Sequence, residues 1–230
     1  MRSPSAPSIR HDLVLVGGGH AHIQVLKRWA MAPVPGARLT LVVDRPIAVY
    51  SGMVPGFVAG QYSRDALEID VRPLALRAGA RCIVAAATGV DPTGRRLLLN
   101  GRPPIVYDTV SFDVGSTVAG LEVPGAREHA LPTRPIGEFV RRVGEVLAAA
   151  RGRESFRVAV VGAGAGGVEV AFALTARLRR EPGRRVEVLL LEAGPRAASR
   201  SAVAPRWRAW TPARCISSAA SASRPTPPCG

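Results

Sequence analysis

An α/β fold, with a mostly parallel sheet flanked by helices, is predicted by three observations. Two short apolar runs, LVLV at 13–16 and VAVV at 158–161, each stop at a cluster of glycines. Each cluster leads into an apolar stretch at helical spacing, then a further apolar run that ends in an acid, Asp44 or Glu192. Continuous apolar strands of this kind are buried on both faces, as parallel strands in βαβ units are. The region between, 81–112, instead reads as short strands joined by Gly, Pro and Asn, which predicts a small antiparallel insertion.

In order along the chain, residues 12–16 are the first strand, 19–31 its crossover helix and 38–44 the second strand, ending at Asp44. Residues 45–62, rich in Gly, Pro and Tyr, read as a loop with a short helix. Pro73 suits the first turn of a helix over 72–78. Strand-like stretches follow at 81–88, 95–99 and 105–112, with GVDPTGRR and NGRPP as the turns between them. Over 137–151, Phe139, Val140, Val143, Val146 and Leu147 share one helical face. Strand 157–161 opens the second unit, whose helix runs over 165–179 and whose second strand, 186–191, stops at Glu192.

The glycines carry the chemistry. A dinucleotide diphosphate must approach the backbone closely, and glycines remove the Cβ atoms that would block it; the following helix adds its N–H groups and positive end. In LVLVGGGHAH, Gly17, Gly18 and Gly19 take this part, with His22 where the pattern G-x-G-x-x-G has its last glycine. That substitution predicts a wider helix–sheet spacing, or a histidine near the phosphates. Asp44 stands where a carboxylate binds a ribose hydroxyl, with a turn-capping aspartate as the plain alternative. His20 and His22 lack the further ligands a metal site needs, so no metal is expected.

The second loop, VAVVGAGAGGVE, matches the pattern fully through Gly162, Gly164 and Gly167. Glu192 favours a free ribose 2′-hydroxyl and so NADH over NADPH, although Arg196 is close by. Glu169 is read on the first turn of the helix, either as a charge favoured at a helix start or as a carboxylate near the nicotinamide. Two such units imply two nucleotides, and hydride transfer between a nicotinamide and a flavin is the simplest chemistry joining them.

Composition narrows the partners. The net charge is +14, but the basic residues are scattered arginines apart from Lys27, and aromatics are only 5%, which argues against nucleic acid. Cys82, Cys215 and Cys229 form no CxxC pair, so neither a disulfide framework nor zinc is expected. No apolar run is long enough to span a bilayer and MRSPSAPSIRHD is no signal peptide, so a cytoplasmic protein is expected, with peripheral contact at the inner face of the membrane as the finer expectation. After about residue 196 the chain contains no acid and no sustained period. This segment reads either as a disordered tail or as the product of a reading-frame slip.

With both loops placed, the chain resembles the pyridine nucleotide-disulfide oxidoreductases, the two-dinucleotide-binding flavoproteins. YDTVSFDVGSTVAGLEVPG, residues 107–125, is similar to the turn by which that family leaves its flavin domain. GGGHAHIQVLKRWAM, YSGMVPGFVAGQYS and VPGAREHALPTRPI resemble type II NADH dehydrogenases and, more closely, the flavoproteins found alone or fused ahead of selenide, water dikinase. The resemblance covers about residues 10–196 and implies a FAD/NAD(P)-binding Rossmann-like fold whose second unit is incomplete. It implies a disordered N-terminus at 1–10, a FAD-binding domain at 11–125 without its return segment, the first part of an NAD(H)-binding domain at 126–196, and an aberrant or disordered tail at 197–230.

The resemblance also assigns the site. FAD falls to Gly17, Gly18, Gly19, His20, Ala21, His22, Asp44, Arg45, Ala87, Gly115 and Ser116, with Ser51, Gly52 and Met53 lining the ring and Tyr50 either stacked nearby or simply packed. NAD(H) falls to Gly162, Gly164, Ala165, Gly167 and Glu192, with Glu169 as the catalytic candidate. RPIAVYSGMVPGFVAG lacks the cysteines of family members that relay electrons through a thiolate, so a small-molecule acceptor, by analogy a quinone, is implied. The alternative is a truncated, non-catalytic nucleotide-binding module.

Overall fold

Alternation of apolar side chains along neighbouring strands explains the first part of the architecture. The computed structural model describes residues 8–180 and 185–192. The chain divides into two units, residues 1–116 and 117–230. The first contains β1 (His11–Val16), α1 (His20–Met31), β2 (Ala37–Val43), β3 (Ile47–Val49), α2 (Val54–Ala59), β4 (Glu68–Asp70), α3 (Val71–Arg77), β5 (Arg81–Val84), β6 (Ala87–Asp91), β7 (Arg96–Leu99), β8 (Arg102–Val106) and β9 (Thr109–Phe112). The second contains α4 (Ala126–His129), α5 (Ile136–Ala150), β10 (Ser155–Val161), α6 (Ala165–Leu178) and β11 (Arg185–Leu191).

Four strands form a parallel sheet in the order β5-β2-β1-β9. Leu15, Leu39, Leu41 and Val43 face one side, where they pack with Ile23 and Leu26 of α1 and with Val71 and Ala75 of α3. Val14, Val16 and Val42 face the other, against Leu97 and Leu99 of β7 and Tyr107. Helices therefore cover one face and the antiparallel sheet β6-β7-β8 covers the other. The two central strands, β1 and β2, are buried on both faces, which is why they read as unbroken apolar runs.

Several boundaries differ from those predicted. The stretch 81–88 is two strands: Ala85 N–H donates to Val43 O (2.8 Å) at the end of β5, and β6 begins the antiparallel sheet at Ala87. The stretch 105–112 divides likewise at Tyr107–Asp108. Strand propensity continues across both places, so a change of sheet leaves no mark in it. Pro103 and Pro104, read as turn residues, lie inside β8, which pairs only with β7; an edge strand tolerates residues without an N–H. The segment 45–62 holds β3, paired antiparallel with β4, as well as α2. Residues 1–7 of the predicted disordered start and residues 197–230 lie outside the described part of the chain; Arg10 donates its N–H to Gly36 O (2.7 Å).

In the second unit β10 and β11 run parallel, from Ser155 opposite Arg185 to Val161 opposite Leu191, and α6 packs on both. Helix α5 buries Phe139, Val140 and Val143 as its period predicts, with Val146 and Leu147 half-buried.

Register places the candidate residues. Val16 is level with Val42 and Phe112, and Val43 with Val84. Gly17–Gly19, Asp44, Ala85–Ala87 and Asp113–Ser116 therefore all leave the sheet at its carboxyl edge, where open α/β sheets bind ligands.

Candidate functional site

Between Val16 and His20 only Gly17, Gly18 and Gly19 are available to turn strand into helix. Gly17 has φ +95° and donates its N–H to Val42 O (2.8 Å). A Cβ on Gly17 would lie 2.1 Å from the carbonyl oxygen of Asp113, so both the dihedral and the contact demand glycine. Gly18 is less constrained, its nearest neighbours being 3.4 Å or more from an added Cβ. Gly19 is the N-cap of α1, and a Cβ there would come within 2.2 Å of the Asp113 carboxyl. The first turn of α1 contains no acid of its own. Asp113, from the end of β9, serves instead: its Oδ2 accepts His22 N–H (3.2 Å) and its carbonyl accepts Gly19 N–H (3.3 Å).

His22 fastens the loop through its ring. It is buried, 2% exposed, beneath the loop. The Gly17 carbonyl can only accept, so Nδ1 donates to it (2.8 Å), and Nε2 pairs with the Ser111 hydroxyl (3.0 Å). Both ring nitrogens and the backbone N–H are engaged within the protein, so His22 ties the loop to β9. Sequence reasoning missed Ser111 and Asp113. The available signal was an acid just past a strand that pairs with β1, in FDVGS.

His20 opens α1, is exposed, and stacks its ring on Tyr50, with centroids 5.0 Å apart and planes 29° apart. Within the protein, Tyr50 is thus packed against His20. Ala21 beside it is exposed. Ser51–Met53 form a one-turn helix after Tyr50, and a Cβ on Gly52 would touch the tyrosine ring at 3.0 Å. Asp44 is exposed at the end of β2, and Arg45 Nε donates to its Oδ2 (3.2 Å). Ala87, Gly115 (φ +82°) and Ser116 are exposed beyond the same edge.

The second loop repeats the plan on β10 and α6. Gly162 has φ +102° and donates its N–H to Leu191 O (2.8 Å). Gly164 is the N-cap of α6, and Ala165, exposed, its first residue. A Cβ on Gly167 would lie 1.8 Å from Gly162 O, so this glycine lets helix and loop touch. The carboxylate at the end of the second strand is drawn to the loop: Glu192 Oε2 accepts Ala163 N–H (2.7 Å). Glu169 is exposed and lies beyond the first turn of α6, which contains no acid; this corrects its predicted place on that turn, and the helix-start account of it falls away. Arg196 is outside the described residues.

Burial pushes the thiol of Cys82, on β5, up from its usual range, although Arg72 opposes this. It packs against the core of the first unit. Among the described residues no helix is long and apolar enough to cross a membrane.

The chain as a whole is similar to known proteins. The family described as pyridine nucleotide-disulphide oxidoreductase matches residues 11–216, continuing past the point near 196 where the motif likeness ends. The NADH dehydrogenase-like protein YutJ of Bacillus subtilis is 27% identical over 190 residues, 79% of this chain and 48% of its own length. The chain thus spans about half the length of that relative. Among solved structures, the sulfide:quinone oxidoreductase of Aquifex aeolicus superposes with TM-score 0.67 at 18% identity, over 81% of this chain and 44% of that one. The water-forming NADH oxidase of Lactobacillus brevis, solved bound to NADH, does so with TM-score 0.63 at 18% identity, over 80% and 40%. At such identities the structures show a shared fold, and the family match shows descent: the chain belongs to the pyridine nucleotide-disulphide oxidoreductase family.

Proposed function

We propose that this chain is a FAD-dependent NAD(P)H oxidoreductase that takes electrons from NADH and passes them to a small-molecule acceptor, with a quinone as the first candidate. One observation carries the reading: two strand–glycine loop–helix units, each closed by a carboxylate at the end of its second strand. FAD belongs to the first loop, with Asp44 toward a ribose and Ser51–Met53 toward the ring. NADH belongs to the second, with Glu192 toward its ribose and Glu169 toward the nicotinamide. The names of the similar proteins, an NADH dehydrogenase-like protein and an NADH oxidase bound to NADH, support this pairing.

The residues present fit such ligands. Gly17 and Gly162 hold the turns with positive φ, and the N-caps Gly19 and Gly164 carry no side chain of their own, although the Asp113 carboxyl stands beside Gly19. Those helix ends offset diphosphate charge. The bound pair would supply two-electron transfer from reduced nicotinamide to flavin. Glu192 sets the preference for NADH, since a 2′-phosphate would face a carboxylate. The similarity to a sulfide:quinone oxidoreductase supports a quinone acceptor, and with it peripheral membrane contact.

The test is a titration of the full chain with FAD, followed by NADH without oxygen. Quenching of flavin fluorescence and then bleaching of flavin absorbance is the expected result. Nucleotide binding with no bleaching would favour a non-catalytic binding module, and no binding of either nucleotide would end both readings.

A further inference from the structure

The second glycine of a dinucleotide loop leaves room for the diphosphate to reach the backbone. In the first unit, this chain's own carboxylate stands in that room. An added Cβ on Gly19 would lie 2.2 Å from the Asp113 carboxyl, so the carboxylate occupies the place of the missing side chain. Its Oδ2 accepts the N–H of His22, the third residue of α1, across 91 positions of sequence. Strand pairing holds it there, because Asp113 N–H donates to Val16 O (2.8 Å) and its carbonyl accepts Gly19 N–H. The positive helix end that attracts a phosphate attracts this anion for the same reason.

We infer that Asp113 is an internal occupant of the first cradle, capping α1 in the nucleotide-free chain and giving way when a diphosphate arrives. The inference rests on the reading of this loop as the FAD site. It makes Asp113 a positioning residue that keeps the loop formed between nucleotides and weakens diphosphate affinity, because each binding event displaces or crowds a like charge.

Asp113→Asn separates charge from capping, since the amide oxygen still accepts His22 N–H. Fluorescence titration of the full chain at low salt should show FAD binding about fivefold more tightly to Asp113→Asn than to wild type. The gap should shrink at high salt. Riboflavin, which lacks the diphosphate, should bind both alike. In the nucleotide-free chain, Asp113→Ala should speed hydrogen exchange at the His22 amide. Equal FAD affinities, or unchanged exchange in Asp113→Ala, would overturn the inference and leave the FAD site standing. Weaker FAD binding by Asp113→Asn would overturn it too and make Asp113 a direct ligand. If neither protein bound FAD, the site reading itself would fail, and this inference with it.

Discussion

The two glycine loops meet one packing constraint in opposite ways. In the second, the Gly162 carbonyl lies so near the helix that a Cβ on Gly167 would be 1.8 Å away. In the first, the corresponding Gly17 carbonyl accepts a hydrogen bond from the ring of His22, at the same place in the motif. One loop requires the absence of a side chain, whereas the other is fastened by a large one. The last glycine of G-x-G-x-x-G thus expresses a distance between loop carbonyl and helix. A residue able to satisfy that carbonyl at a longer distance does equally well, provided a partner such as Ser111 takes its other nitrogen.

The largest expected effect comes from Gly167→Ala. Glycine to alanine within a helix ordinarily stabilises by about 1 kcal/mol. At Gly167 the overlap with backbone reverses the sign, and a loss of about 3 kcal/mol is expected from a urea melt. Gly166→Ala is the internal control: an added Cβ there meets nothing within 4 Å, so it should stabilise. His22→Gly comes next. It completes the motif on paper, yet it strips partners from Gly17 O and Ser111, and the melt should show a loss of about 2 kcal/mol. Stabilisation by His22→Gly would show that the two loops are interchangeable after all.

The acids closing the two units differ as well. Both are exposed, but Asp44 is paired with its neighbour Arg45, while Glu192 accepts the loop amide of Ala163. A carboxylate anchored to the loop keeps its charge beside the ribose position proposed for NADH. Glu192→Gln should therefore reduce the preference for NADH over NADPH about tenfold, read from competitive binding of the two nucleotides. An unchanged preference would move specificity to residues elsewhere.

How much of this was legible in the sequence follows from what each signal depends on. The βαβ units, both loops and the helix 136–150 depend on local periodicity and glycine spacing, and these emerge near their predicted positions. The breaks at Ala85 and Tyr107 depend on which sheet a strand joins, a choice made by partners distant in the chain. His22, Ser111 and Asp113 form their set only because β9 inserts beside β1, some ninety residues from the loop. A motif read along the chain marks His22 as a departure but carries no trace of the strand that accommodates it.

A smaller contrast lies in how each unit pins its paired strands. Asp12 stands opposite Arg38 across β1 and β2, and Arg157 opposite Glu187 across β10 and β11, so each pair of strands has one directly registered ion pair. The Asp12 side chain is 24% exposed and that of Glu187 45%. The hydrogen bonds from Arg38 hold the Asp12 carboxyl below the usual carboxylate range, with burial opposing. A carboxylate with a lowered folded value contributes stability that is present above its unfolded value and lost as pH falls through the folded one. The contribution of Asp12 is therefore intact at neutral pH and disappears below about pH 4. Asp12→Asn should cost under about 1 kcal/mol at neutral pH, with the difference from wild type vanishing in acid melts. Glu187→Gln, at the more exposed pair, should cost only about 0.3 kcal/mol. If Glu187→Gln proved the costlier of the two, water would not be what sets these pairs apart, and the weaker link would lie in the first unit.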